Sequence, residues 1–436
     1  MSRSRISAIS RQAFLISLAA LAFSAKAASD VAPEVIQRVR AITESAEYKR
    51  MVGILARDHD RIIDENIRLQ QIPAPSFEEG NKAKALAALF RDAGLDTEID
   101  EAGNVLALRR GTQSSEGVHA VVAHLDTVFS KTQDLSIKRE GTRIMAPGIL
   151  DDSRGLAALV AFVRAMKEAN VSTRDNLLFV GSVGEEGLGD LKGVKHLFLN
   201  GKYKGRIKSM VAVDGGRPAA ITAIAAGSKR YEVLFKGPGG HSFRAFGTVN
   251  PMYAMAEAIV RLSKIQTPSG TTYSVGVVGG GTSVNSIPAD AWMQVDMRST
   301  STTDLLRLES DFRKIIDESV KQENGARSTK VGRIEVEVKL TGDRPAGSTP
   351  AESTIVQIAL AASASQGWEP SVMSASTDSN LPMSLGIPAV TVASGVGDHS
   401  HSPLEYLDAE KAQSLRALQA ALISVLGAAN FMPGGK

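Results

Sequence analysis

Five short motifs follow one another down this chain, each at the end of an apolar run or in the loop beyond it. They are His124-Leu125-Asp126, Gly148-Ile149-Leu150-Asp151-Asp152, Glu185-Glu186, Asp214-Gly215-Gly216 and Asp398-His399-Ser400-His401. Each alone has an ordinary explanation. A lone His is more often structural than ligating, and a Glu pair is usually a solvated charge cluster. An Asp at a strand end often caps a helix, as Asp152 could for one beginning near Gly155. Five successive strand ends offering His, Asp, Glu, Asp and His are poorly explained by capping alone. The chain has no Cys, so thiolate metal sites and Cys nucleophiles are excluded. Imidazole and carboxylate donors suit zinc, cobalt or manganese. Two such ions about 3.5–4 Å apart need a shared anionic bridge and would clamp a nucleophile and a substrate oxygen. Of the adjacent Glu185 and Glu186, one can ligate while the other takes a proton from water. In His124-x-Asp126 the Asp can orient the imidazole. His399 and His401 both remain candidates, because an extended segment would point them the same way.

These motifs require a scaffold that brings strand ends together. Residues 33–72 and 79–93 read as helical. Val118–Leu125, Asn176–Val183, Ser209–Val213 and Ala389–Val392 read as strands, with helices at Leu156–Lys167 and Ala409–Leu426. Strands separated by helices predict a mostly parallel sheet sandwiched by helices, with ligands gathered beyond the carboxyl ends of its strands. The pattern changes near Gly227. Arg230–Lys236, Ala289–Arg298 and Ile334–Leu340 alternate like half-buried strands, with helices at Pro251–Lys264 and Leu305–Val320. The fold class is therefore α/β with an inserted α+β domain. The boundaries expected are 30–228 and 343–436 for the α/β domain and 229–342 for the insertion. Gly279-Gly280-Gly281 reads as a turn before Asn285. His59 is expected on a surface helix, His119 at a strand start and His196 in a loop-to-helix segment, all without a role.

The N-terminus reads as a separate object. Arg3, Arg5 and Arg11 precede the apolar run Ala13–Phe23, then Ser24-Ala25-Lys26-Ala27-Ala28 offers the small-residue spacing of a cleavage site. Residues 1–27 are thus expected to be a Sec-type signal peptide cut near Ala27, giving a periplasmic or secreted chain with no stable membrane anchor. That segment holds four of the 50 basic residues and no acid, so 46 basic residues remain against 47 acidic ones. The formal charge of +3 therefore belongs to the leader, and no basic surface argues for nucleic acid.

The ordered set resembles the zinc exopeptidases that include peptidase T, carnosinase, aminoacylase, glutamate carboxypeptidase and succinyl-diaminopimelate desuccinylase. The resemblance runs through His124-x-Asp126, Gly148-x-x-Asp151-Asp152, Glu185-Glu186, Asp214, Gly240-His241, Asn285-x-x-Pro288, Asp296-x-Arg298, Thr377-Asp378 and His401-Ser402-Pro403-x-Glu405-Tyr406. It implies two divalent ions, zinc with cobalt or manganese as alternatives, bridged by Asp151. His124 and Asp214 would complete one site, and Glu186 and His401 the other. Glu185 would be the general base and acid, and Asp126 would support His124. The inserted domain would be a lid that also makes a homodimer. Its His241 would stabilise the oxyanion, in the partner subunit's site, while Asn285 and Arg298 would bind substrate, Arg298 as a carboxylate clamp. Lys commonly follows the Asp-Asp pair in this family; here Ser153 and Arg154 follow.

Within that family an Asp at the position of Asp214 resembles the aminopeptidase and dipeptidase branch, and the stretches 181–189 and 212–216 look most like peptidase T. The expected activity is hydrolysis of an amide bond in small peptides, tripeptide aminopeptidase-like. The alternatives are a carboxypeptidase or N-acyl-amino-acid deacylase using the same metals, and a non-catalytic binding protein of the same fold.

Overall fold

The computed structural model describes residues 31–113 and 116–434. The expected signal segment lies outside those residues. The chain forms two compact units. One runs up to Ile224 and resumes at Ser348, and the other is Ala225–Gly347.

The larger unit is built on one sheet. Its strands lie in the order Thr97–Ile99, Val105–Arg109, Asn176–Ser182, Val118–His124, Ile207–Val213, Ala389–Val392, Ala220–Ala225. The middle four are parallel, and the flanking pairs are antiparallel. Every residue of Val118–His124, Asn176–Ser182 and Ala389–Val392 is buried. That is why these strands read as continuous apolar runs rather than alternating ones. The two short strands at 97–109 are unanticipated: Thr97–Ile99 is a three-residue edge strand with polar residues, and Val105–Arg109, though buried over its first three residues, is only five residues long.

The helical stretch 33–72 is three helices, Pro33–Glu44, Ala46–Arg57 and His59–Gln70. Ser45 breaks the first pair, its hydroxyl accepting the Tyr48 N–H as an N-cap. His59 is buried, contrary to the surface position expected, and its Nε2 lies 3.1 Å from Ser414 Oγ. The helix that His59 opens packs against the long helix Ser153–Glu168, which buries that face. Between these two helices Arg164 donates two 2.8 Å bonds to the Glu65 carboxylate. His119 bonds Ser209 and Asp175, and His196 lies inside the helix Lys192–Leu199.

Helix Ser153–Glu168 starts directly after the Asp151-Asp152 pair. Asp152 is its N-cap, accepting the Gly155 N–H through Oδ1. A Cβ at Gly155 would collide with the Val213 carbonyl oxygen. Glycine is what allows the helix start to sit against the strand end that carries Asp214. Fully buried Arg154 donates to the Ser394 carbonyl at 3.2 Å and to Ser414 Oγ at 2.9 Å. The same turn is thereby tied to the segment leading to His401.

The smaller unit is a four-stranded antiparallel sheet in the order Thr271–Gly280, Asp290–Ser299, Gly227–Lys236, Glu335–Arg344. Tyr231, Val233, Phe235, Met293 and Val295 on one face pack with Ala254, Leu308 and Phe312 from helices Pro251–Leu262 and Thr302–Ala326. The ladder begins at Gly227, paired with Ser299, and Arg344 still pairs with Ser228. The division of the chain therefore falls outside 229 and 342. Thr271–Gly280 is an unanticipated edge strand. Gly279 and Gly280 end it, so only Gly281 belongs to the turn expected there. A Cβ at Gly279 would stand 2.5 Å from the Trp292 ring on the neighbouring strand.

No described helix is long and apolar enough to cross a membrane. The buried Arg164–Glu65 pair gives the first test. Glu65→Ala leaves the buried Arg164 guanidinium with Asp58 alone, 3.6 Å from its Nε, and is expected to lower unfolding free energy by about 3 kcal/mol in urea titration, while replacing both Glu65 and Arg164 with Met costs much less.

Candidate metal centre

The parallel strands deliver their carboxyl ends to one place. His124 ends its strand, and its Nε2 lies 2.9 Å from Asp151 Oδ1. The other oxygen of Asp151, Oδ2, lies 3.3 Å from His401 Nε2. His401 Nε2 also lies 2.7 Å from Glu186 Oε1. One carboxylate thus offers one oxygen to each of two imidazoles. Donor atoms on a tetrahedral ion with bonds of about 2.0–2.1 Å stand about 3.3 Å apart; the His401–Asp151 spacing of 3.3 Å matches this, while the 2.9 and 2.7 Å contacts are hydrogen bonds that must open by about half an ångström to admit an ion.

Among the described residues, two groups of donor atoms are close enough to share an ion. One is His124, Asp151 and Glu186, and the other is His124, Asp152 and Asp214. In the second, Asp152 already accepts the His124 N–H at 2.9 Å and the Gly155 N–H at 3.1 Å, one on each oxygen. Its geometry is that of a structural cap, which leaves Asp214 as the available carboxylate there.

Asp126 differs in detail from the expected support for His124. The imidazole Nδ1 lies 3.0 Å from the Asp126 backbone carbonyl, and the Asp126 carboxylate stands 3.6 Å away. That carboxylate instead accepts the N–H of Glu185 and of Glu186, each at 2.9 Å, and the Ser76 hydroxyl at 2.6 Å. Its main work is to fix the Glu185-Glu186 backbone. Glu185 and Glu186 are both buried.

His399 and His401 are not in an extended segment. Both have left-handed backbone, with φ of 64° and 66°. The alternation argument therefore does not hold. Only His401 meets Asp151 and Glu186, while the His399 ring lies 6.0 Å from that of Tyr406.

Four supporting residues escaped the sequence reading. Glu405 accepts the N–H groups of Gly148, Leu150 and Asp151, which holds the loop carrying the bridge. It lay inside a quoted motif without a role. Ser76 bonds both Asp126 and the Glu186 carbonyl, at 3.1 Å to the latter. Glu79 accepts from Phe77 N–H and Gly184 N–H. Lys82 is 1% exposed, the buried cation facing Asp126, Asp152, Glu405 and Glu79. Nothing in the sequence distinguishes it from an ordinary helix lysine.

The turn that carries Ser76 has a strained residue. Glu78 N–H bonds the Pro75 carbonyl, and Phe77 between them has φ of 76°. A bulky residue there costs about 1–2 kcal/mol relative to right-handed backbone.

The charges follow from burial and crowding. Burial, together with the adjacent Asp151 charge, pushes Asp214 up to about 7. Burial likewise pushes Glu405 up to about 7, against its three N–H bonds. Burial pulls the Lys82 ammonium down to about 8. Bonds to Asp151 and Glu186 hold His401 up at about 10. Burial opposes protonation of His124, but Asp126 and Asp151 outweigh it and hold that imidazole well above its usual range. Asp151 lies below the carboxylate range because the two imidazoles outweigh its burial.

In the smaller unit, His241 is exposed on the short strand Gly240–His241, paired with Ser286–Ile287. Its Nδ1 accepts the Phe243 N–H at 3.2 Å. Ser242 N–H bonds the Asn285 carbonyl. Arg298 donates from Nε to Asp296 at 2.7 Å. His241 and Asn285 therefore sit on adjoining turns, and Arg298 on a strand of the four-stranded sheet.

Fold and donor set together define a hydrolase of the metallopeptidase kind, with a His/Asp/Glu site suited to divalent metal. The chain belongs to peptidase family M20/M25/M40, whose profile matches residues 120–425. It is 25% identical over 381 residues to the uncharacterized protein YqjE of Bacillus subtilis, covering 83% of this chain and 97% of that protein. It is 26% identical over 341 residues to a probable carboxypeptidase of Aspergillus flavus, covering 69% and 77%. Among solved structures it is similar to aminopeptidase PepT from Bacillus cereus. The TM-score is 0.67 at 22% identity, over 84% of this chain and 98% of that one. It is also similar to the Bacillus subtilis YXEP protein, a dinuclear metal-binding peptidase, with a TM-score of 0.61 at 18% identity, over 84% and 97%.

Metal ligation requires neutral imidazole and ionised carboxylate. With His401 held at about 10 and Asp214 at about 7, metal uptake must expel protons, more of them as pH falls. Zinc titration of metal-free protein in buffers of different ionisation enthalpy is expected to show proton release at pH 8, and larger release with weaker affinity at pH 6. Uptake without protons at pH 8 would remove the two imidazoles from the ligand set.

Proposed function

We propose that this chain is a dizinc exopeptidase that cleaves an amide bond in small peptides, with tripeptide aminopeptidase-like activity. The observation that carries the reading is Asp151, one oxygen toward each of His124 and His401, beside a second acid, Glu185, whose backbone is pinned at Asp126. Asp151 would be shared between the two ions, with His124 and Asp214 holding one and Glu186 and His401 holding the other. Cobalt or manganese would suit the same donors. The ions, when bound, supply Lewis-acid activation of water and of the amide carbonyl.

The residues of the chain do the rest. Glu185 accepts a proton from the attacking water and returns it to the leaving amine. Its backbone N–H is fixed by Asp126, and the residue is buried beside Glu186. Because a backbone N–H can only donate, the bond from Phe243 makes His241 Nδ1 an acceptor. Neutral His241 then carries its proton on Nε2 and can donate it to a developing oxyanion. Asn285 hydrogen-bonds substrate. Arg298 keeps its terminal nitrogens for a carboxylate, since Asp296 takes Nε. In this reading the inserted unit serves the partner subunit of a homodimer. Supporting the dimer, Thr271–Gly280 is an edge strand whose Val277 and Val278 are exposed. The chain is also read as exported, cut near Ala27. Sedimentation and N-terminal sequencing of protein from its host test these two readings; a monomer, or an intact Met1, sinks the corresponding one.

Asp214 favours the aminopeptidase branch. The Aspergillus flavus relative, a probable carboxypeptidase, favours the second reading, a carboxypeptidase or deacylase. Free tripeptides assayed against N-acyl amino acids separate the two, and cleavage of only the blocked compounds would overturn the first. Glu185→Ala is expected to keep both metals by elemental analysis while losing about 10³-fold or more in kcat. His241→Ala should keep the metals and lose rate. Loss of metal from the His241 variant would refute its assignment.

A further inference from the structure

Beside the metal centre the larger unit exposes bulky apolar side chains that its fold does not use. Phe77 is 60% exposed and Leu188 is 64% exposed. Each stands one or two residues from a group already placed at the site. Phe77 follows Ser76, whose hydroxyl bonds Asp126 and the Glu186 carbonyl. Leu188 lies two residues beyond Glu186, on the short 3-10 turn Gly187–Gly189. The Ser76 hydroxyl and the Glu186 N–H both donate to the Asp126 carboxylate, which joins the two loops that carry Phe77 and Leu188. The Phe77 turn is further fastened to the strand end of His124 and Asp126. Thr127 N–H bonds the Ala74 carbonyl at 2.9 Å, and Pro75 bridges to Thr127. The Phe77 N–H itself bonds Glu79, which also holds Gly184.

Two features of Phe77 are unfavourable in the free protein. Its backbone is left-handed, where Gly or Asn would be relaxed, and its ring is left largely in water. Burial within the fold does not compensate either one. Strained backbone together with an exposed aromatic, fixed rigidly to a reaction centre, indicates a side chain kept for contact with a ligand.

We propose that Phe77 and Leu188 form an apolar subsite for the side chain of a residue flanking the scissile amide, so that the substrates are small peptides or acyl amino acids bearing a Leu- or Phe-like residue there. The inference rests on reading the centre as an amide hydrolase. Both loops are anchored to Asp126 and Glu186, so the apolar surface keeps a fixed position relative to the bridging carboxylate. One methylene in a hydrophobic pocket is worth roughly 10–200-fold in kcat/KM, so a Leu- or Phe-like side chain against this exposed surface is expected to gain at least the lower end of that range.

The test compares zinc-loaded wild type with Phe77→Asn and Leu188→Ser. Panels of tripeptides and N-acetyl amino acids carry Leu, Phe, Ala or Ser at each position beside the amide. Wild type is expected to favour Leu and Phe over Ser at least tenfold in kcat/KM, and each variant should reduce that ratio about tenfold. Phe77→Asn should also keep or raise the Tm, because Asn tolerates the positive φ. A ratio that survives in both variants, or a uniform loss across the panel with the ratio preserved, would overturn the subsite; the uniform loss would assign these side chains to contact with the protein itself. Calorimetry with leucine hydroxamate and serine hydroxamate reads the same preference without turnover. If wild type cleaves nothing in the panels, the hydrolase reading fails, and the hydroxamate ratio still decides the subsite. Equal binding of the two hydroxamates by wild type would overturn it.

Discussion

The carboxylate of Asp126 accepts two consecutive backbone N–H groups, those of Glu185 and Glu186, and a hydroxyl from Ser76. Three segments that are distant in sequence meet on this one buried group. The strand ending in His124 supplies the acid, the next strand supplies the Glu pair, and the turn after the third helix supplies the hydroxyl. A buried carboxylate saturated in this way is a rigid, directional anchor. It divides the labour between two adjacent glutamates, because fixing both of their N–H groups leaves each side chain a separate region to occupy. Asp152 and Glu405 repeat the device nearby. Asp152 holds the His124 backbone and the start of a helix, and Glu405 holds the loop before the bridging Asp151.

The arrangement is electrostatically demanding. Asp126, Asp151, Asp152, Glu185, Glu186, Asp214 and Glu405 converge at the carboxyl ends of the parallel strands, five of them buried and Asp151 and Asp214 partly so. Without metal the centre is neutralised by protons. Asp214 and Glu405 are pushed to about 7, and both imidazoles are held in their charged forms. Lys82, although burial pulls it down to about 8, supplies positive charge to the supporting acids at neutral pH. Divalent ions would replace labile protons with permanent charge, and the ligand spacing is already close to what such ions require.

Much of this was legible in the sequence because the signals were of the kind that burial on both faces produces. Continuous apolar runs marked the parallel strands, and polar ligand types at their ends marked the site. What was not legible has physical reasons. The strand Thr271–Gly280 is an edge strand, half in water and glycine-terminated, so it carries neither a run nor a clean alternation. The buried His59 ring meets Ser414, 355 residues further along the chain. Lys82 and Ser76 act through partners that only the fold brings near them. The left-handed backbone at His399 and His401 decides which imidazole reaches Asp151, and side-chain alternation cannot foresee it. The motif predicts Asp126 as the support for His124; its carboxylate stands 3.6 Å from that imidazole and bonds the Glu pair, an attachment that depends on three-dimensional register.

The insertion of Ala225–Gly347 between the two parts of the larger unit separates the donors along the chain. His124, Asp151, Glu186 and Asp214 all precede it, and His401 and Glu405 follow it. At synthesis rates of about 5–20 residues per second, roughly 10–40 s pass between the emergence of Asp214 and that of His401. During that interval a nascent chain carries an acid-rich half-centre, without its second imidazole and without the group that steadies the bridging loop. Any ion captured then would be held by fewer donors and exchange more readily. The order of residues along the polypeptide therefore makes full coordination a late event in the life of each molecule, available only once the last quarter of the sequence has folded back onto the first half.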